Sequence, residues 1–224
     1  MEHRSVALDG PAAAGKSTMA RRAAGRFGLI YVDTGALYRV VGLHAMRNNT
    51  DPKDEQGVAK LLPDIKLEMR YDENGMQRMY LGSEDVTDEI RDPQISAYAS
   101  DVSALPPVRG FLLEMQREMA RKYDVIMDGR DIGTVVLPNA GLKVFMTAQL
   151  ATRAARRYLE LIGKGIDTTP EDVMRDMERR DKNDSERAVA PLKAAGGAVI
   201  FDTTDMGPDE SFNALCSLIS GKLA

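Results

Sequence analysis

Gly10-Pro11-Ala12-Ala13-Ala14-Gly15-Lys16-Ser17 matches the pattern G-x-x-x-x-G-K-[ST] at every specified position. Before it stands the apolar run Val6-Ala7-Leu8, which reads as a buried strand. After Gly15 the chain reads as a helix to about Phe27. Strand, glycine-rich loop and helix are the order the motif's chemistry requires. The glycines let the backbone curl until successive N–H groups point at phosphate oxygens, and the helix start adds favourable potential. Lys16 is placed to reach the β- and γ-phosphates of a nucleoside triphosphate, and the Ser17 hydroxyl to ligate Mg²⁺. The expected ATP-binding loop is therefore Gly10, Pro11, Ala12, Ala13, Ala14, Gly15, Lys16, Ser17 and Thr18.

Outward from the loop, strands and helices alternate. Gly35 to about Met46 reads as a helix, with Leu37, Val40, Val41 and His44 at helical spacing. Tyr123–Met127, Leu142–Met146 and Gly197–Phe201 are short apolar runs that resemble interior strands of a parallel sheet. Helices fit about Arg153–Ile162, Pro170–Asp184 and Pro208 to about Leu218. The second of these has Thr169 as N-cap, Pro170 in the first turn and Asp172 three residues past the cap. The stretch from Leu62 to Asp92 breaks the pattern. Ile65–Tyr71 and Met76–Leu81 alternate with period two about Asp72-Glu73-Asn74-Gly75, a hairpin, with a third strand near Asp85–Thr87. The expected fold is α/β, a P-loop NTPase fold with a parallel sheet flanked by helices. It is expected as one domain over 1–224, with a core of about 1–61 and 93–224. A small antiparallel insert subdomain is expected at 62–92, and a short helical lid bearing arginines at 153–187.

The composition narrows the class. The chain has 224 residues, 30 Lys+Arg against 34 Asp+Glu and a net charge of −4, which argues against binding a nucleic-acid polymer. With no Trp and 5% aromatics, it lacks stacking platforms for single strands. The lone Cys216 excludes an intrachain disulfide and a cysteine-based zinc site, and reads as core filling in the last helix. No apolar run approaches a membrane span of about 20 residues. Because Met1–Arg4 runs straight into Ser5-Val6-Ala7-Leu8, no secretory leader is expected. A cytoplasmic monomer is the expectation.

Three constellations favour phosphoryl transfer to a second small molecule. Asp33-Thr34-Gly35-Ala36-Leu37-Tyr38-Arg39 opens a helix after a short strand, with Arg39 placed to fork onto a phosphate and Thr34 to add a hydroxyl. Asp128-Gly129-Arg130-Asp131 closes the strand Val125–Met127 at the edge where α/β sheets bind ligands. There Asp128 is suited to support the metal, Arg130 to neutralise phosphate and Asp131 to accept from a base or sugar. Arg153, Arg156 and Arg157 share one helix face, and Arg180, Asp184 and Arg187 follow at helical spacing. With Gly163-Lys164-Gly165 as joints, they describe a mobile cationic cover. A GTPase would carry N-K-x-D after a late strand; Asp181-Lys182-Asn183-Asp184 scrambles that order inside a helix.

These residues resemble the bacterial cytidylate kinases, a group of nucleoside-monophosphate kinases. Asp9-Gly10-Pro11, Gly82-Ser83-Glu84-Asp85-Val86-Thr87, Asp128-Gly129-Arg130-Asp131-Ile132-Gly133-Thr134 and Arg187-Ala188-Val189-Ala190-Pro191-Leu192 carry the resemblance, nearly end to end. It implies transfer from ATP to CMP or dCMP, with 62–92 as part of the monophosphate-binding region. It assigns Arg39, Arg130 and Arg187 to the acceptor phosphate, and Ser100, Arg109 and Asp131 to cytosine. Arg180 and Asp184 fall to the sugar, and Thr34 and Tyr38 make further monophosphate contacts. Lys16, Asp128, Arg130, Arg153 and Arg157 are the expected catalytic residues, with Ser17 and Asp128 as metal ligands. The alternatives are a kinase for UMP or AMP and, from another class, a P-loop regulatory NTPase.

Overall fold

The computed structural model describes residues 3–223; Met1, Glu2 and Ala224, which the expected domain takes in, lie outside the described residues. The chain runs β1 (Ser5–Asp9), α1 (Lys16–Phe27), β2 (Ile30–Asp33), α2 (Thr34–Arg47) and α3 (Glu55–Leu61). Then come β3 (Leu67–Tyr71), β4 (Gln77–Leu81), β5 (Glu84–Asp85), α4 (Pro93–Val102) and α5 (Pro106–Lys122). It closes with β6 (Val125–Gly129), β7 (Leu142–Thr147), α6 (Leu150–Gly163), α7 (Pro170–Glu186), β8 (Val199–Asp202) and α8 (Pro208–Leu223).

Five parallel strands form one sheet in the order β2-β6-β1-β7-β8. Val6-Ala7-Leu8 and Val125-Ile126-Met127 are unbroken apolar runs because helices cover both faces of these inner strands. The chain builds one side of β1 and then the other, so a crevice opens at the carboxyl ends of the strands. Register brings Asp9 opposite Gly129 and Asp33 opposite Asp128, so the loop after β1 and the turn after β6 emerge side by side.

Two apolar clusters hold this frame. Leu8, Met19, Ala20, Ile126, Val144, Leu215 and Ile219 join the sheet to α1 and α8. Leu37, Val41, Met79, Ile90, Ile95, Val108 and Leu112 join α2, α4 and α5 to the antiparallel sheet β3-β4-β5. At about 1.5–3 kcal/mol for each fully buried large apolar side chain, this shared interior fixes the insert against the core. The insert also docks on β2, the edge of the large sheet. Gln77 Oε1 accepts from the Asp33 N–H at 2.8 Å, Gln77 Nε2 donates to Asp33 O at 3.2 Å, and Tyr71 Oη donates to Tyr31 O at 2.8 Å.

Element boundaries differ from expectation where local polar groups intervene. The strand expected from Tyr123 begins at Val125, because α5 continues to Lys122 and Tyr123 is its C-cap. The third insert strand is Glu84–Asp85 rather than Asp85–Thr87, since Thr87 Oγ1 accepts from the Met79 N–H. Helix α8 runs on to Leu223. After β6 the chain makes a π-helical turn, Ile132–Val136, anchored where the Asp9 carboxylate accepts from the N–H groups of Ile132 and Gly133, both at 2.7 Å.

Candidate active site

The glycine-rich loop is shaped by close approach as well as by backbone freedom. At Gly10 a Cβ would stand 1.9 Å from Met146 O, and Gly15 caps α1 with φ near +97°, which favours glycine. Lys16 curls back so that Nζ donates to Pro11 O at 2.7 Å. Ser17 Oγ donates to Asp128 Oδ2 at 2.6 Å, and Tyr31 Oη to Asp128 Oδ1 at 3.2 Å. Burial, helped by the Arg130 guanidinium, pushes the Lys16 ammonium down to about 7 despite the nearby Asp128. Burial and the neighbouring Asp33 push the Asp128 carboxyl up to about 6, against Lys16 and the Ser17 hydroxyl. An arriving anion would favour charged Lys16, and an arriving cation would favour ionised Asp128.

Ala12–Thr18 line a cavity of about 1100 Å³ that also takes in Asp128, Arg130, Arg39, Arg157 and Arg180. Arg130 comes from the turn after β6, Arg39 from one turn inside α2, Arg157 from α6 and Arg180 from α7. Arg130 Nε donates to Asp184 Oδ2 at 2.7 Å, and Arg157 Nη1 lies 2.8 Å from Glu160. Arg39 Nη1 donates to Ser96 Oγ at 2.6 Å and Ile90 O at 3.3 Å. Burial drives the Arg39 guanidinium down to about 10, against Asp33 and with further cations nearby.

A second cavity of about 190 Å³ is lined by Tyr38, Arg109, Gln116, Asp131 and Val189, among others. Arg109 Nη2 donates to Asp131 Oδ2, both side chains buried, and the guanidinium lies 5.7 Å from the centre of the Tyr38 ring. Arg187 Nη2 is 3.6 Å from Asp131 Oδ1 and makes no hydrogen bond; Ser100 Oγ is likewise buried without a partner. Neither residue lines the cavity, and each keeps a buried polar atom unmatched, which is costly.

Not every expected residue lines a cavity: Gly10, Pro11, Thr34, Ser100, Arg153, Asp184 and Arg187 stand outside both linings. Arg153 was expected to face a transferring phosphoryl group, but its side chain is only 6% exposed. Its guanidinium donates to Ala148 O, Ala12 O and both carboxylate oxygens of Asp181, so it braces the loop from behind. The Thr34 hydroxyl, expected at the monophosphate, instead donates to Asp128 O at 2.8 Å. Arg156 holds the chain after β8 through Thr203 O at 2.7 Å and lines the large cavity. Among the wall residues that escape sequence reasoning are Gln77, which substitutes for a strand neighbour of Asp33, and Arg91, whose Nη1 lies 2.9 Å from Asp33 Oδ2. Neither sits in a local motif that would signal it.

Among the described residues no cluster of three or more His, Cys, Asp or Glu could hold a metal ion by itself, and no helix is long and apolar enough to cross a membrane. A match to the family Cytidylate kinase runs over residues 6–220. The chain belongs to the cytidylate kinase family. It is 44% identical to the cytidylate kinase of Caldicellulosiruptor bescii, over 97% of this chain and 96% of that one. With the cytidylate kinase of Lactiplantibacillus plantarum it shares 47% identity, over 97% and 95%. An uncharacterized protein from Eubacterium ventriosum has a similar fold, with a TM-score of 0.54 and 11% identity over 97% of this chain and 99% of that one. Cytidylate kinases are phosphotransferases.

Proposed function

We propose that the chain transfers the γ-phosphoryl group of ATP to CMP or dCMP, giving ADP and CDP or dCDP. One juxtaposition carries this reading. Lys16 and Ser17 share a cavity with Arg39, Arg130 and Arg180, and the Arg109–Asp131 pair lines a second cavity. A phosphate monoester is already largely dianionic at pH 7, because its second pKa is about 6. It needs no general base. The difficulty is to bring two anionic groups into line, and cations on both sides answer it by neutralisation and positioning.

In this reading Gly10 to Thr18 cradle the ATP phosphates, and Lys16 follows the β–γ bond as it breaks. Arg39, Arg130 and Arg187 hold the acceptor phosphate, whose oxygen forms the new bond to phosphorus. Arg157 from the lid faces the transferring group, while Arg153 acts through the loop it braces. Arg180 and Asp184 hold the sugar, with Tyr38 and Thr34 shaping the monophosphate site. Cytosine offers an N4 amino donor to Asp131 and its N3 and O2 acceptors to Arg109, with Ser100 beside the base. Uracil lacks the amino donor and would leave a buried carboxylate poorly matched.

Ser17 and Asp128 fit Mg²⁺, which is commonly held by one or two protein oxygens while substrate phosphates and water complete its shell. Held there, the ion would supply positive charge against the phosphates of the donor. The same reading takes a monomer as the acting form and the cytoplasm as its setting.

The test is ADP release with each common ribo- and deoxyribonucleoside monophosphate. CMP and dCMP are expected to give the highest kcat/KM. If they release no more ADP than AMP, UMP or no acceptor, the proposed activity is wrong.

A further inference from the structure

Arg91 is a cavity-lining cation to which the reaction above gives no task. It ends the 3₁₀ turn Glu89–Arg91, where the antiparallel insert leads back to α4. Its Nη1 lies 2.9 Å from Asp33 Oδ2, and no other ion-pair partner among the described residues engages its guanidinium. The two partners differ in freedom. The Asp33 side chain is 10% exposed and Arg91 is 45% exposed. Asp33 is fixed from several sides: Oδ1 accepts from the Ala36 N–H as the cap of α2, and Gln77 holds its main chain. Arg91 can leave this pair, whereas Asp33 cannot follow it.

Position gives that asymmetry a use. Asp33 stands opposite Asp128 in strand register, at the carboxyl edge where the acceptor must meet the loop. Arg91 thus reaches from the insert to the wall that already carries Arg39 and Arg130. Arg39 is tied to the same turn, since its Nη1 donates to the carbonyl of Ile90. A half-exposed guanidinium–carboxylate pair is weak. A phosphate monoester presents two oxygens to the planar fork and nearly twice the charge, so it competes well for the same group.

We propose that Arg91 is an additional ligand of the acceptor phosphate, held on Asp33 in the free protein and transferred to the phosphate as the monophosphate binds. The inference rests on the acceptor being a nucleoside monophosphate, as proposed above.

The experiment compares CMP binding with inhibition by cytidine, which keeps the base and sugar but lacks the phosphate. Wild type, Arg91→Met and Asp33→Asn are measured, with CMP binding read without ATP or Mg²⁺ and cytidine read as a competitor of CMP. Arg91→Met is expected to weaken CMP roughly tenfold or more while cytidine changes less than about twofold. Asp33→Asn keeps a capping side chain on α2 and removes the competing charge, so CMP should bind more tightly. In the double variant that gain should vanish. Arg91→Lys, which keeps the charge without the fork, should fall between wild type and Arg91→Met, and it replaces Arg91→Met should that variant not fold. Equal losses for CMP and cytidine, no loss of CMP binding, or a gain from Asp33→Asn that persists without Arg91 each overturn the proposal. Wild-type ADP release is scored first. If CMP gives none, the acceptor assignment fails, and the same comparison is made with the monophosphate and nucleoside the wild type does use.

Discussion

Arg130 Nε donates to Asp184 Oδ2 across 2.7 Å, which joins the end of β6 to the last turns of α7. The same carboxylate lies 3.9 Å from Arg187 Nη1, and Arg180 precedes it on the helix. Burial alone would raise the Asp184 carboxyl, but Arg130 and the other guanidiniums hold it below the usual range. One carboxylate therefore balances several cations.

Asp184→Ala should leave those guanidiniums repelling one another in a partly buried site. The expected cost is about 3 kcal/mol, because breaking a buried pair strands its partner. For a chain of this size, that lowers Tm by roughly 6–12 °C. Millimolar sulfate should recover more of the Tm in the variant than in the wild type, since the anion substitutes for the missing carboxylate. Equal sulfate responses in thermal scans would count against this balance.

Lys16→Ala removes the ammonium that follows charge on the transferring phosphoryl group. Turnover at saturating CMP should fall by about 10²–10³-fold. The fold should survive, because a buried cation with one backbone partner is lost rather than created. ADP release and circular dichroism together check both halves, and near-normal turnover would contradict the loop's role.

Asp131→Asn keeps the size of the side chain and removes the carboxylate that receives Arg109. The CMP:UMP ratio of kcat/KM should fall by about tenfold, within the range of one base-reading contact. Competition between the two monophosphates in one reaction measures that ratio directly. An unchanged preference would remove Asp131 from base reading.

The Asp33–Arg91 pair should appear in the acid response of the fold. Burial raises the Asp33 carboxyl, but Arg91, Arg39 and the Ala36 N–H outweigh it and hold the group below its ordinary value of 3.8. A depressed carboxyl contributes stability above that ordinary value and loses it as pH falls through the lower folded value. Arg91→Met should therefore cost about 1 kcal/mol at neutral pH, a small figure because Arg91 is half exposed. Its Tm difference from wild type should shrink below about pH 4. A difference that stays constant down to pH 3 would assign the acid response elsewhere.

Local chemistry was legible in the sequence. Loop, strand and helix at Val6–Phe27 follow from contiguous residues, and the period-two runs about Asp72–Gly75 announce an antiparallel piece. Arg130 and Asp131 were legible because a charged turn after an apolar strand must emerge at the sheet's carboxyl edge. What stayed hidden depends on residues distant in sequence. Helix spacing places Arg153 on a face with Arg157, but it cannot say that Asp181 stands opposite one and the cavity opposite the other. The Asp9 carboxylate holding Ile132 and Gly133, and the Gln77 amide holding Asp33, join segments that no periodicity connects.

The Gln77 amide has a wider consequence. It engages both main-chain groups of Asp33 on the outer strand of the large sheet, while Tyr71 takes the carbonyl of Tyr31. Two side chains thus do what a sixth strand would do, and they deny that border to a foreign strand. The opposite border, β8, is only four residues long, a brevity that limits recruitment even with Ile200 60% exposed. The hairpin is therefore a guard against strand-by-strand aggregation as well as a wall of the large cavity. A chain pared back to its sheet and helices by removing 67–85 would lose solubility along with that cavity wall.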